Sequence, residues 1–445
     1  MSIVLITALS ERFRLRSDFA KHVLTLATGT AAAQALTILV APFLSRLYRP
    51  EDYGLSALFG AVSGMIAMLS TAKYDAAILI PREDEAAVSL TALCLSITSA
   101  VSLAALCILL PSSHWLARSL GEPELAPWLL MVPLAVLFSG VAQTLGAWAN
   151  RRQAYGTIAF SRIVAALLGT GANVAMGVAG MGAAGLILGF LLSQAAAVGV
   201  LAVGVGRNLA ATPRLFAPDA MWTQARRFSN FPKFSLWVEL LYNFSNHLVT
   251  LLLPRLFGVA VLGWYSMSQR VVGVPANIVG GAVSEVFRAR ASRDYAEHGH
   301  CRPIFMKTLR YLALLSVVPF SILALVAPDI FSLVFGEPWR MAGRIAQVMS
   351  IMFLLRFIVS PLTYTFLLGG KQREDLYLHM LLTGSTVAVL VVCHLYAIDP
   401  VTMLLGFSIN YSLIYLIYLW RSFTHACGEP ALNPGRGPHL TKPNP

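Results

Sequence analysis

Apolar stretches of about 20 residues recur along most of the chain, separated by short segments that contain Gly, Pro and charged residues. Because a helix needs roughly 20 apolar residues to cross the hydrocarbon core, each stretch indicates a membrane span. The first six predicted spans are 23–45, 54–80, 87–110, 127–149, 157–178 and 183–205. Six more follow at 232–253, 259–284, 309–333, 343–368, 375–397 and 402–420. The pattern predicts an all-α polytopic membrane protein of about 12 transmembrane helices in two six-helix bundles.

This grouping divides the chain into five segments. They are a cytoplasmic N-terminal tail (1–22), an N-terminal six-helix bundle (23–206), a cytoplasmic linker (207–231), a C-terminal six-helix bundle (232–422) and a cytoplasmic C-terminal tail (423–445). The linker is basic and contains Pro213 and Pro218, which is typical of a connection between bundles.

Five residues near the start of each predicted bundle repeat at a constant spacing of 209. The first set is Leu44, Arg46, Leu47, Tyr48 and Gly54, and the second is Leu253, Arg255, Leu256, Phe257 and Gly263. Both segments join the first and second span of a bundle on the outer side. The repeat therefore predicts pseudo-two-fold symmetry about an axis along the membrane normal. The alternative is chance similarity between two Leu-rich loops.

Basic residues gather on one side of the predicted membrane. Of the 33 Lys and Arg residues, 23 lie in segments assigned to the cytoplasm or at the inner ends of spans, six in outer segments or at the outer ends of spans, and four deeper within spans. Cytoplasmic loops carry such an excess, so both termini are predicted to be cytoplasmic. The same bias accounts for the net charge of +12 without a nucleic-acid partner.

The sequence contains no motif that is typical of catalysis or metal binding. It has no Gly-rich phosphate loop, no DxD pair and no His-Glu cluster at metal-ligand spacing. The five cysteines form no CxxC motif. We therefore expect neither an enzyme, nor a metal site, nor a cofactor.

Four cationic side chains lie within predicted spans and away from the first two residues of a span: Lys73, Arg162, Arg270 and Arg356. A charge in a span costs about 2.5–3.5 kcal/mol on insertion scales, so such residues usually face a protein interior or a wet cavity. Guanidinium groups bind phosphate oxygens bidentately, and the excess of cations therefore predicts an anionic cargo. In the alternative interpretation, Lys73 and Arg162 snorkel to the interface, and Arg270 or Arg356 pairs with Glu239.

Uncharged polar residues at helical spacing extend this predicted cavity. The predicted lining comprises Gln34, Asn243, Asn246, Asn277 and Ser360. The acidic residues Asp75 and Glu239 are candidates for coupling to an ion gradient. His247 is a third candidate because imidazole titrates near neutral pH, although a satisfied structural histidine is the alternative.

Several short segments carry a resemblance to a known family. They are PFLSR (42–46), YRPEDYG (48–54), YDAAILIP (74–81), RRQ (151–153), LPRLFG (253–258) and GWYS (263–266). In this order, and over nearly the whole chain, they resemble the Wzx-type flippases. These form the polysaccharide transport branch of the multidrug/oligosaccharidyl-lipid/polysaccharide exporter superfamily.

The resemblance implies two six-helix bundles around a central cationic cavity. Such a protein carries an undecaprenyl-pyrophosphate-linked oligosaccharide across the bacterial inner membrane, from the cytoplasmic to the periplasmic leaflet, for O-antigen or exopolysaccharide synthesis. By this resemblance Arg270 and Arg356 hold the pyrophosphate, and Arg162 and Lys73 guide it from the inner face of the membrane. The implied partners are the lipid-linked oligosaccharide, membrane lipids, a glycan polymerase and a chain-length regulator. The implied protein is a monomer without cofactor, coupled to a proton or sodium gradient.

Three alternatives remain open at this point. A cation-coupled drug exporter of the same superfamily predicts acidic rather than basic cavity residues. A membrane glycan polymerase or ligase predicts a sizeable periplasmic loop, whereas the longest outer segment here spans only residues 111–126. A lipid II flippase predicts fourteen spans.

Overall fold

The structure is a computed structural model that describes residues 28–210 and 217–428, all of whose regular elements are helices. The first nine helices are α1 (Thr28–Leu47), α2 (Pro50–Ala67), α3 (Tyr74–Ala77), α4 (Asp84–Ser119), α5 (Ala126–Leu129), α6 (Val132–Arg151), α7 (Tyr155–Val178), α8 (Ala183–Ala210) and α9 (Pro218–Arg227). The others are α10 (Leu236–Phe257), α11 (Val259–His298), α12 (Arg302–Phe335), α13 (Arg340–Val348), α14 (Ser350–Val359), α15 (Tyr364–Leu368), α16 (Gln372–Leu395) and α17 (Pro400–Ala426).

The predicted all-helical membrane fold is confirmed. Within the described ranges, nine helices are long and apolar enough to cross a membrane, and every predicted span overlaps a helix. The count of twelve spans stays a prediction. The predicted N-terminal tail, most of the C-terminal tail and residues 211–216 of the linker lie outside the described residues.

Of the predicted spans that the structure interrupts, two are divided over several residues. The span predicted at 54–80 ends as a helix at Ala67, and the chain turns before the short helix α3. The span predicted at 343–368 is divided into α13, α14 and α15, and Pro361 lies in the 3-10 turn after α14. Apolar composition continues through both breaks, so the sequence pattern did not reveal them.

The chain forms two compact units whose boundary lies within α11, α12 and α13. The first unit contains the described residues up to Ser268, together with Pro328–Gly343. The second contains Gln269–Ala327 and the described residues from Arg344 onward. The bundle boundaries predicted at 206 and 232 stay a prediction.

In the first unit, a buried hydrophobic cluster holds the linker helix α9 against the membrane-spanning helices. Tyr74 and Trp148 belong to this cluster, and Ala225 and Phe228 of the linker segment pack against it. The Tyr74 hydroxyl also donates to the Ala225 carbonyl oxygen at 3.0 Å. The part of the predicted linker that follows residue 217 is therefore folded onto this unit.

In the second unit, a side chain donates to a carbonyl whose helical donor is missing because the residue four positions later, Pro328, is a proline. Pro328 has no N–H, so the carbonyl of Ala324 lacks its usual helical donor. Gln347 Nε2 donates to that carbonyl oxygen at 2.8 Å. This hydrogen bond fixes the end of α13 on α12 where the backbone would otherwise be unsatisfied.

The two glycines matched by the sequence repeat make reciprocal contacts within the first unit. A Cβ added to Gly54 of α2 would lie 2.1 Å from the Val259 carbonyl oxygen. A Cβ added to Gly263 of α11 would lie 1.8 Å from the Pro50 carbonyl oxygen. Val259 follows Pro50 by the repeat spacing of 209. The first turns of α2 and α11 therefore pack on each other as a pseudo-two-fold axis requires, and only glycine permits this approach.

Candidate functional site

The site begins at the break between α2 and α3. Ala72 and Lys73 adopt left-handed backbone conformations, with φ of 46° and 64°. Thr98 Oγ1 of α4 donates to the Ser70 carbonyl oxygen at 2.9 Å, which fixes the turn from the side. A break in a membrane-spanning segment is tolerated where protein surrounds it or where it borders a wet space. Here the break directs Lys73 and Asp75 to different partners.

Lys73 forms an ion pair with Glu239 in the first turn of α10. The Lys73 side chain is 16% exposed and the Glu239 side chain 40% exposed. In the structure Glu239 therefore pairs with Lys73, whereas the alternative interpretation paired it with Arg270 or Arg356. This ion pair stabilises the charge of Lys73 within a predicted span, so snorkelling to the interface is not needed to explain its position.

Asp75 accepts two hydrogen bonds from uncharged side chains. Thr71 Oγ1 donates to Oδ1 at 2.7 Å, and Gln143 Nε2 of α6 donates to Oδ2 at 2.9 Å. Lys73 and Asp75 are therefore not partners of each other, although they are two residues apart. Both carboxylate oxygens of Asp75 are fixed in place, which is the arrangement of a positioned anion.

Asp75 and Arg162 line one cleft of about 530 Å³ in the first unit. The other polar residues of its lining are Gln143, Asn150 and Ser161, among Ala, Leu, Ile and Gly residues. Arg162 donates to the Thr30 hydroxyl of α1. The structure therefore brings together one predicted cation and one predicted ion-coupling carboxylate in a single polar cleft.

Arg270 and Arg356 lie in the second unit, on α11 and α14. The Arg270 side chain is exposed and the Arg356 side chain is half-buried. The next residue after each of them, Val271 and Phe357, lines an apolar cavity of about 360 Å³. The arginines themselves are not part of that lining. Their predicted role in binding pyrophosphate stays a prediction.

The predicted uncharged lining is divided among several local roles. Asn243 donates to the Glu239 carbonyl oxygen at 3.1 Å, so its amide is used within α10. Ser360 is exposed, and its carbonyl oxygen accepts from Thr363. The buried Oε1 of Gln34 has no hydrogen-bond partner among the described residues.

Three further predicted positions add little to the geometry. His247 is half-buried and lies 3.8 Å from the position of a Cβ added to Gly64. The side chains of Asn246 and Asn277 lie outside the described part of the structure.

Sequence reasoning missed Thr71, Gln143 and Asn150. Gln143 and Asn150 are seven residues apart on α6, so they lie on one face of that helix. This spacing was a usable signal. Thr71 could not be recognised, because its contact with Asp75 requires the break after α2.

A second charged cluster was also missed. Glu374 of α16 accepts from Arg421 Nε and Nη2 of α17, and His425 Nε2 lies 3.0 Å from its Oε2. This cluster joins two adjacent helices of the second unit, which is a structural role. Among the described residues, no group of His, Cys, Asp and Glu could hold a metal ion.

Comparison with known proteins identifies the family of this chain. Residues 43–344 match the family described as polysaccharide biosynthesis protein. The lipopolysaccharide biosynthesis protein WzxC of Escherichia coli K12 is 26% identical over 261 residues, which cover 58% of this chain and 51% of that protein. The succinoglycan biosynthesis transport protein ExoT of Rhizobium meliloti is 25% identical over 344 residues, which cover 75% of this chain and 65% of that protein. The chain thus spans about half to two thirds of the length of these relatives.

Solved structures agree on the fold. The lipid II flippase MurJ in an inward closed conformation has a TM-score of 0.66 at 12% identity, covering 90% of this chain and 87% of that one. An inward-facing multidrug resistance transporter of the MATE family has a TM-score of 0.65 at 15% identity, covering 90% and 94%. By name, ExoT is a transport protein, and neither of the two relatives is named as a polymerase or a ligase. The chain belongs to the polysaccharide biosynthesis protein family, and its fold is similar to that of the MurJ and MATE proteins.

Proposed function

We propose that the protein carries an undecaprenyl-pyrophosphate-linked oligosaccharide from the cytoplasmic to the periplasmic leaflet for synthesis of a surface polysaccharide. The observation that carries this proposal is the excess of cations within the membrane-spanning helices of a polysaccharide-transport family member. A pyrophosphate needs positive charge to leave water, and guanidinium groups supply it with bidentate geometry.

The contacts of the carboxylates support an anionic cargo. Glu239 is paired with Lys73, and Asp75 is held by Thr71 and Gln143. A pathway for organic cations would need carboxylates aimed at the cargo rather than at neighbouring side chains. The Lys73–Glu239 pair removes one acid and one cation from the charge balance, so the proposed anionic cargo depends on Arg162, Arg270 and Arg356.

Each cation has a proposed part in the route. Arg270 and Arg356 bind the pyrophosphate, and Arg162 and Lys73 attract it from the cytoplasmic side. Transport proceeds by alternating access between the two bundles (23–206 and 232–422) around a central cationic cavity. The tight contact of Gly54 and Gly263 belongs to the state in which the outer ends of α2 and α11 are closed.

We further propose that an ion gradient drives the cycle without a cofactor. Asp75, Glu239 and His247 are the candidate groups for a proton or a sodium ion. Release of Glu239 from Lys73 by an arriving phosphate would leave this carboxylate ready to bind a cation. The cargo and the ion would then be coupled through one lysine.

The proposed setting is the bacterial inner membrane with both termini in the cytoplasm, in accordance with the distribution of basic residues. The protein acts as a monomer beside a glycan polymerase and a chain-length regulator.

The second candidate is a cation-coupled drug exporter, which the fold similarity to a multidrug resistance transporter favours. The two candidates differ in the sign of the cargo. An exporter of cationic drugs would lose activity when Asp75 or Glu239 is neutralised, and it would tolerate loss of Arg270.

The test replaces Arg270 and Arg356 by Ala and by Lys in a strain whose surface glycan depends on this gene. We expect each Ala variant to lower surface glycan at least tenfold, equivalent to about 1.4 kcal/mol of lost binding. The Lys variants should retain part of the activity, because a single charge replaces a bidentate one. Glycan is compared at equal amounts of membrane protein.

Arg293→Ala is the matched control. Arg293 is exposed and lies on α11, the helix of Arg270, but outside the predicted span. It should leave glycan unchanged. Full glycan in both Ala variants would overturn the proposal. Drug resistance that depends on Asp75 but not on Arg270 would favour the exporter.

A further inference from the structure

An apolar cavity in the second unit has no role in the transport route described so far. Three helices line it. The lining residues are Val271, Val272, Pro275, Ala276 and Val279 of α11, Leu315, Ser316, Pro319, Phe320 and Leu323 of α12, and Phe357 of α14. Its volume of about 360 Å³ lies within the range of roughly 300–1,000 Å³ that is typical of ligand pockets.

The lining side chains offer almost nothing to a polar ligand. Ser316 is the single hydroxyl among the described lining residues, and it donates to the Ala313 carbonyl oxygen of its own helix at 3.0 Å. The rings of Phe320 and Phe357 pack with centroids 6.1 Å apart and close one side. The cavity therefore suits a hydrocarbon.

Two prolines explain why the cavity is not filled by the helices themselves. Pro275 and Pro319 lie near the middle of α11 and α12, and both belong to the lining. Each proline removes a helical hydrogen bond and clashes with the carbonyl four residues earlier, which bends the helix. Neighbouring helices that bend at the same depth leave space between their side chains.

The cationic residues of the same unit narrow the choice of hydrocarbon. Arg270 directly precedes the lining residue Val271, and Arg356 directly precedes Phe357. Two of the three lining helices, α11 and α14, thus carry an arginine one residue before a residue of the lining. This juxtaposition matches an amphiphile whose apolar chain begins at a diphosphate.

We propose that the cavity between α11, α12 and α14 binds the polyisoprenyl chain of the cargo, next to the diphosphate. This inference rests on the proposed function and adds a site for the lipid part of the cargo. The cavity holds only the first isoprene units, and the rest of the chain remains in the bilayer. Recognition of the chain beside the diphosphate would distinguish a lipid-linked glycan from a free sugar phosphate.

The test fills the cavity in the purified full-length chain. Ala276→Phe places a ring in the apolar space, and Val318→Phe is the matched control because Val318 of α12 is 63% exposed and does not line the cavity. Binding of undecaprenyl pyrophosphate and of inorganic pyrophosphate is measured in phosphatidylcholine nanodiscs. We expect Ala276→Phe to weaken undecaprenyl pyrophosphate roughly tenfold, as for loss of about two buried methylene contacts. Binding of inorganic pyrophosphate should stay unchanged in both variants.

A second measurement does not depend on the folding of a variant. Undecaprenyl pyrophosphate with a photoreactive diazirine in its first isoprene units should label peptides from 271–279 and 315–323 of the wild-type chain. Unlabelled undecaprenyl pyrophosphate should suppress this labelling, and phosphatidylcholine should not. Equal affinity of Ala276→Phe and Val318→Phe, or suppression by phosphatidylcholine, would overturn the inference. Failure of the wild-type chain to bind any polyprenyl pyrophosphate would instead overturn the proposed function.

Discussion

Helices α2 and α11 begin alike and continue differently. Both start with a turn whose glycine packs against the carbonyl of the other helix, at Gly54 and Gly263. α2 ends after 18 residues, at Ala67, whereas α11 continues for 40 residues, to His298. The first turns of the two helices therefore pack on each other, and we call this contact the shared end. Beyond it, the two chain segments differ in the polar and apolar contacts that they make.

The two segments differ in the part of the chain that follows the repeated residues. After Ala67 the chain turns and presents Lys73 and Asp75, each with polar partners. α11 continues instead through Pro275 into an apolar cavity. Symmetry is kept where the two helices touch each other, since each contact constrains both sequences. The symmetry is lost where the segment after α2 carries charged residues and α11 lines an apolar cavity.

The largest effect should come from breaking the shared end. Gly263→Ala places a methyl group 1.8 Å from the Pro50 carbonyl oxygen, so the backbone must move. We expect a loss of about 3 kcal/mol in the free energy of unfolding, at the upper end for overpacking. The measurement is SDS titration of the purified protein in mixed micelles, with surface glycan as a second readout.

Gly273→Ala is the control for this substitution, because it lies on the same helix and a Cβ there meets no atom within 4 Å. Gly54→Ala should behave like Gly263→Ala, and Gly60→Ala like Gly273→Ala, for the same reason on α2. If Gly263→Ala proves as stable as Gly273→Ala, the reciprocal contact does not constrain the protein.

The polar end of α2 should give the next largest effect. Asp75→Ala leaves the buried Thr71 hydroxyl without its acceptor, at a cost of about 2 kcal/mol, and it also removes the hydrogen bond from the exposed Gln143. Asp75→Asn should cost less, because the amide oxygen still accepts one of the two bonds. Asp329→Ala breaks an ion pair with Arg340 whose partners are 68% and 52% exposed, and it should cost under about 1 kcal/mol. Equal losses of stability for Asp75→Ala and Asp329→Ala would show that the hydrogen bonds of Asp75 contribute no more than an exposed ion pair.

The repeat at the start of α2 and α11 could be recognised in the sequence, whereas the contact between the two helices and their different later courses could not. The repeat that matches Gly54 with Gly263 is visible in residue identities, because close backbone contact demands glycine on both sides. The apolar spans were equally visible, because the bilayer sets their length.

The break at 68–73 follows from tertiary contacts that have no linear signature. Residues Met68, Leu69 and Ala72 are compatible with a continuing helix, so the apolar pattern runs through the turn. The pairing of Lys73 with Glu239 rather than Asp75 depends on that turn. The apolar cavity could not be predicted for a related reason, because the same Val, Leu and Phe residues occur in a packed core and around a cavity.

A smaller effect should come from the ion pair of Lys73 and Glu239. Because Glu239 is 40% exposed, solvent weakens the attraction, and we expect a coupling free energy of about 1 kcal/mol. The measurement is a double-mutant cycle of Lys73→Met and Glu239→Gln in SDS titration. The coupling should decrease at high salt. Strictly additive losses would show that the pair contributes nothing to stability and that Lys73 acts on cargo alone.

The smallest effect on stability should come from α11, at the point where it diverges from α2. Pro275→Ala restores an N–H donor for the Val271 carbonyl, and membrane helices tolerate either state, so unfolding should change by less than about 1 kcal/mol. Transport should nevertheless fall, because a straighter α11 narrows the space beside α12. Val286→Ala is the control, since Val286 is 59% exposed further along the same helix and does not line the cavity. If both variants transport glycan equally well, the bend at Pro275 has no part in the route. The difference between α2 and α11 would then lie in the charges of α2 alone.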